Sequence, residues 1–191
     1  MANEKTQAEK TQTLARPEVW LRGPIAGMPD LLMPAAHAFI QAGEEVADAA
    51  ATLTDGELWQ RPGGVASPGF HLKHLVGATD RLLTYARGES LSPTQIAFLK
   101  AEGAPGTPQE SATDLIAGVH DAIASALNQL RATSIDALTD KRTVGRAALP
   151  TTVIGLLFHA AEHAQRHAGQ LTTITKVVRA AAAANTNAAA V

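Results

Sequence analysis

An all-α fold, a four-helix bundle with short connecting helices, is predicted by three features of this sequence. The first is composition: the 191-residue chain carries 39 alanines, while aromatic residues make up only 4%. Alanine is the best helix former, and aromatic side chains are favoured in strands. The second is periodicity: long stretches repeat apolar residues every three or four positions, which puts them on one helix face. The third is punctuation, since most of these stretches open on a Ser/Thr capping signal and several close on glycine.

The first apolar stripe is Leu32, Ala36, Phe39, Gly43, Val46, Ala50 and Leu53, giving a helix over about 30–52. Thr54 and Glu57 fit a capping box for a short helical turn, and residues 60–64 form a Pro-Gly loop. Ser67 and Pro68 place a hydroxyl at N-cap and proline at the first helical position of a second helix. That helix is predicted over 67–87, with Gly88 as its left-handed stop. Ser92-Pro93 repeats the start signal for a short helix closed by Gly103. Thr107 to Glu110 reads as a capping box for a third long helix over 108–132, striped by Leu115, Val119, Ala122, Ala126 and Leu130. Residues 133–150 lack a period, and no strand-like alternation stands out there. The last long helix is expected over 151–180. The intervening segments are long enough for crossovers, so a simple up-down order is not required.

One domain accounts for this length. The expected organisation is a polar N-terminal arm over 1–27, the bundle over 28–180 and an Ala-rich disordered tail over 181–191. The net charge of −2 implies no basic surface, which argues against nucleic-acid binding. No apolar run approaches the roughly 18–20 residues of a membrane span. The first 16 residues are polar, without the apolar stretch of a secretory signal, so the cytoplasm is the expected compartment. Cysteine is absent, which excludes disulfides, thiolate metal sites, Fe–S clusters and a cysteine nucleophile. Any metal site must therefore use His, Asp, Glu or backbone groups.

Five of the seven histidines fall in two clusters. His71 and His74 lie near the start of the second helix, and His159, His163 and His167 lie on the last. Four residues advance a helix by a net rotation of about 40°, so the three share one arc with a rise of about 6 Å between neighbours. An i, i+4 pair can grip one metal. Three in a row offer two overlapping pairs, and either His71 or His74 can add a third ligand. Leu156, Ala160, Ala164 and Leu171 flank the row, so it faces the interior, where imidazoles need hydrogen bonds or a metal. His37 and His120 stand alone and receive no role. Residues 159–163 also match HxxEH, the inverted zinc-protease signature, but no Asp or Glu follows His163 to supply its further acidic ligand. No phosphate loop, GxSxG elbow or ExxH pair is present, and Glu44-Glu45 reads as a solvated helix face.

The segment HAAEHAQRHAGQL resembles the DinB-like family of small four-helix-bundle metalloproteins, which carry one histidine on the second helix and an HxxxH ending in HxGQ on the last. His163 and His167 match that pair, and Gly169-Gln170 match the GQ. Trp59, Pro62 and Gly63, followed by HLKHL at 71–75, match the second-helix pattern and place its ligand on His74. Alanine stands at 168, where the family often has arginine, and His71 and His159 are extra. The resemblance spans about residues 28–178 and implies a metal site of His74, His163 and His167. His159 is then expected to be a neighbour and not a ligand.

Characterised members of the family transfer low-molecular-weight thiols such as bacillithiol or mycothiol, or isomerise maleylpyruvate with mycothiol. The resemblance therefore implies a divalent-metal-dependent enzyme acting on a small-molecule substrate, foremost a low-molecular-weight-thiol S-transferase. A metal-binding bundle without turnover, serving in stress response, and a metal-dependent hydrolase are the alternatives. Zinc or nickel suits an imidazole donor set. Arg61, Arg81 and Arg166 are candidate anion anchors, each also readable as an ordinary surface residue. A homodimer is expected, with Leu21, Ile25 and Met28 available to pack on a partner.

Overall fold

The computed structural model describes residues 16–189. Four long helices build the bundle: α1 (Met33–Ala50), α3 (Pro68–Ala86), α5 (Ala112–Ala132) and α6 (Val153–Ala189). Two short ones, α2 (Asp55–Leu58) and α4 (Pro93–Ala101), lie in the connections. Around the bundle the order is α1, α6, α3, α5 and back to α1. Helices consecutive in the chain are thus diagonal at two steps, from α1 to α3 and from α5 to α6. The crossing segments, 51–67 and 133–152, are the long connections that such crossovers need.

The apolar stripes become the core. Every residue of the first stripe, from Leu32 to Leu53, is buried, and Phe39 is fully so. On α5 the stripe is Leu115, Val119, Ile123, Ala126 and Leu130, with Ile123 buried and Ala122 only half-buried. Leu156, Ala160, Ala164 and Leu171 on α6 are each 3% exposed or less. Alanines such as Ala36, Ala42, Ala126, Ala160 and Ala164 are buried in this core beside the leucines.

Capping chemistry sets most boundaries. Ser67 Oγ accepts from Phe70 N at 3.2 Å to start α3, and Ser92 forms a full capping box with Gln95 to start α4. Gly88, with φ of +80°, sits in the left-handed region that follows the end of α3. The expected box at Thr107 to Glu110 does not start α5. Ser111 and Asp114 do so, exchanging hydrogen bonds of 3.1 Å. Glu110 instead reaches back to Lys73 Nζ at 2.8 Å and Gly106 N at 2.7 Å. Both sequences satisfy the local pattern, but the contact with α3 claims the Glu110 carboxylate.

Residues 133–150 hold more order than their pattern implies. A hairpin of β1 (Lys141–Val144) and β2 (Leu149–Thr152) forms an antiparallel pair, turning at Gly145. It is two-stranded and half exposed, so no long alternation marks it, and Pro150 is tolerated because both strands are edges. Arg142 Nε donates to Ala86 O at 2.9 Å, tying the hairpin to the end of α3.

The N-terminal arm is partly outside the described residues, which begin at Arg16. What is described packs on α1: Val19 is buried, and Arg22 grips Glu44 with two bonds of 2.6 and 2.7 Å. Glu44 is therefore an ion-pair partner and not simply a solvated residue. Met28 is buried and Ile25 packs against the core, so of the three residues expected to meet a partner only Leu21 is exposed. At the other end α6 continues to Ala189, beyond the expected end near 180 and through residues assigned to the tail, while residues 190–191 lie outside the described ones. Among the described residues, no helix is long and apolar enough to cross a membrane.

Candidate metal centre

The second helix begins where its cap and a packed indole hold it. Trp59 lies against the first turn of α3, so close that a Cβ on Gly69 would meet its ring at 2.8–3.0 Å. Lys73 Nζ sits 5.8 Å from the centre of that indole. With α3 started at Pro68, His71 falls on its first turn and His74 on its second, both turned toward α6. Phe70 stacks on His74 with centroids 5.1 Å apart and an interplanar angle of 15°, which fixes the plane of the imidazole.

Helix α6 is unbroken from His159 to His167, so the i, i+4 argument holds. His74, His163 and His167 each present a ring nitrogen, and these three atoms lie within 4.8 Å of one another. His74 Nε2 and His163 Nε2 are 3.0 Å apart. His159 stands outside the group: it is half exposed, and its Nδ1 lies 3.3 Å from Glu162 Oε2. His71 is buried and directs Nδ1 at His167 Nδ1, 3.0 Å away. The sequence pattern left His71 and His74 open, and the structure brings both to the α6 row, at different histidines. His37 lies elsewhere, with Nε2 3.0 Å from Gly23 O.

Burial favours the neutral form of His71, His163 and His167. Loss of solvent, reinforced by neighbouring histidines, pushes His71 and His163 down to about 4 and His167 down to about 3. A neutral imidazole has a lone pair to give, which is the state a metal requires.

The donor set fits a divalent cation. Two nitrogens on one tetrahedral zinc are separated by about 3.4 Å, given Zn–N bonds of about 2.0–2.1 Å. The observed spread is close enough for small side-chain rotations to close. His163 Nδ1 is also buried without a hydrogen-bond partner, so only the Nε2 of that ring is engaged within the protein.

Two neighbours were not foreseen. Glu102, at the end of α4, is 2% exposed and places Oε2 2.7 Å from His74 Nδ1. Arg81, a candidate anion anchor, is buried and spent on Glu102 Oε1 at 2.6 Å. No local pattern could have announced a contact across 28 residues; a charged residue at the foot of a short helix is common. Of the other candidate anchors, Arg61 closes its own loop on Gly64 and Val65 carbonyls, and Arg166 pairs with Glu162 along α6. Beside the cluster lies a groove of about 680 Å³, with His71 on its lining, Val65 and Ala66 on one side and Gly169, Gln170 and Thr173 on the other. Of its lining residues, only Arg166 carries a formal charge.

A family model described as the DinB superfamily matches residues 38–171, which include all three clustered histidines. The chain belongs to the DinB superfamily. Its fold is shared with a DinB-like protein from Bacillus cereus, with a TM-score of 0.54 and 20% identity, covering 72% of this chain and 89% of that one. A conserved protein from Enterococcus faecalis is also similar, with a TM-score of 0.61 and 16% identity over 78% of this chain and 97% of that one. At these identities the likeness shows the DinB fold alone. No curated protein matches the sequence. DinB membership and the three-histidine cluster are together compatible with a metal-binding protein.

Proposed function

We propose that this DinB protein is a divalent-metal-dependent enzyme in which His74, His163 and His167 hold zinc or nickel, and that it transfers a low-molecular-weight thiol to a small electrophile. The observation that carries the reading is the convergence of three ring nitrogens within 4.8 Å, in a region whose burial depresses histidine protonation. When bound, a divalent metal held by neutral ligands keeps its full charge and acidifies a coordinated thiol or water. The thiol is external because the chain has no cysteine.

The protein's own residues divide the remaining work. His163 and His167 supply lone pairs from adjacent turns of one rigid helix. His71, hydrogen-bonded to His167, closes the inner side of the groove. The apolar part of the groove wall, including Val65, Ala66, Ile174 and Val177, would accept the electrophile, with the Glu162-paired Arg166 as its one formally charged neighbour. In the transfer, the thiol proton leaves to solvent, sulfur forms the new S–C bond, and the leaving group departs with its electron pair.

The test is a panel of low-molecular-weight thiols with a chromogenic electrophile, run on metal-loaded and chelated protein side by side. Metal-dependent turnover with one thiol is expected. No turnover with any thiol, despite tight metal binding, leaves a binding bundle; metal-dependent cleavage of esters or amides by water makes it a hydrolase. The reading includes a homodimer; of the expected contact residues Leu21, Ile25 and Met28, only Leu21 remains exposed to meet a partner. A monomer by light scattering at micromolar concentration removes that part.

A further inference from the structure

Helix α4 buries none of its own nine residues, yet the residue that ends it, Glu102, is among the most buried in the protein. A carboxylate taken from water is costly unless paired and hydrogen-bonded. Glu102 uses both oxygens: Oε1 accepts from Arg81 Nη1 at 2.6 Å, and Oε2 lies 2.7 Å from His74 Nδ1. Room for the pair is made at Gly77, where a Cβ would stand 2.2 Å from Glu102 Oε1 and 2.6 Å from Arg81 Nη1. His74, Gly77 and Arg81 follow one another at spacings of three and four, so one face of α3 presents all three to Glu102.

An ion pair that merely fastened α4 to α3 would need Arg81 alone. The second oxygen is directed at the one imidazole whose other nitrogen, Nε2, faces His163 Nε2 at 3.0 Å. We propose that Glu102 is a positioning residue: it holds the His74 proton on Nδ1, so that the Nε2 lone pair is permanently aimed into the three-histidine cluster. This rests on the metal-site reading above. Arg81 orients the carboxylate, and Gly77 lets it approach. A histidine ligand whose other N–H is held by a carboxylate is fixed in tautomer and ring orientation.

The experiment reads ¹⁵N shifts of the His74 ring in the metal-free, full-length protein at neutral pH, and zinc affinity by competition with a chromophoric chelator. In the wild type, Nδ1 is expected to carry the proton and Nε2 to be bare. In Glu102→Gln, Arg81 holds the amide oxygen and leaves the NH₂ group facing His74 Nδ1. The proton then moves to Nε2, and zinc affinity falls about 10- to 100-fold. A wild-type His74 protonated on Nε2 overturns the proposal without any variant. So does a Glu102→Gln protein that loses thermal stability but keeps the tautomer and the zinc affinity, since Glu102 is then only a strut. If Glu102→Gln does not fold, Glu102→Asp, shorter by one carbon, is read the same way. Zinc binding equally weak in the wild type and in His163→Ala removes the metal-site reading, while the metal-free tautomer still decides what Glu102 does.

Discussion

Acid should destabilise the metal-free protein well above the range in which its carboxylates titrate. Burial holds His71 down to about 4 and His167 down to about 3, against an ordinary value near 6.5. Between those limits the unfolded chain binds protons that the folded chain refuses, so stability falls as pH falls. Their full contribution is present above pH 6.5 and is lost progressively toward pH 3–4. Between pH 7 and pH 5 each of these two buried histidines lowers stability by up to about 2 kcal/mol, and because the two rings touch, their contributions do not simply add. His163 adds in the same direction. Carboxylates held low by ion pairs, such as Glu44 and Glu110, act only at lower pH and do not confuse this window. The assay is urea unfolding of chelator-treated protein at pH 7, 6 and 5, with matched ionic strength. The midpoint should fall at each step without a change in slope. Zinc should raise the midpoint at each pH by binding the folded state, without abolishing the pH dependence, because the protons responsible are taken up by the unfolded chain. A midpoint that is flat or rises from pH 7 to pH 5 would refute the burial argument and the neutral donor set built on it.

Replacing His163 with alanine removes one of three converging ligands and should abolish tight metal binding, whereas His159→Ala should leave most of it; elemental analysis after gel filtration compares the two, and equal loss means that the wrong pair was chosen. Ser111→Ala deletes the cap that opens α5 and should cost about 1 kcal/mol in chemical denaturation. An unchanged midpoint would mean that this boundary is set by packing instead.

Local interactions made much of this protein legible in its sequence. Stripe, cap and stop signals act within about four residues, so the long helices, the Ser67 and Ser92 starts and the Gly88 stop follow from neighbours in the chain. The same periodicity placed His163 and His167 on one interior arc, and the resemblance pointed to His74 across the bundle. Where two local signals competed, the sequence misled: Glu110 looked like a capping partner but belongs to Lys73, 37 residues away. The four-residue strands of the hairpin were too short to carry a period.

Tertiary structure alone decided which polar groups meet. His74 and His163 are 89 residues apart in the chain and 3.0 Å apart in space, and no spacing rule reaches that far. It also separated the roles of His71 and His74, turning one to His167 and the groove and the other to His163, although they lie three residues apart on the same helix. Helical rotation sends those two rings to different neighbours, and the diagonal crossing of α1 to α3 determines which helix they find. Glu102 is the clearest case. Its sequence context is an ordinary polar helix end, and only the packing of α4 on α3 buries it, pairs it and gives its charge something to do.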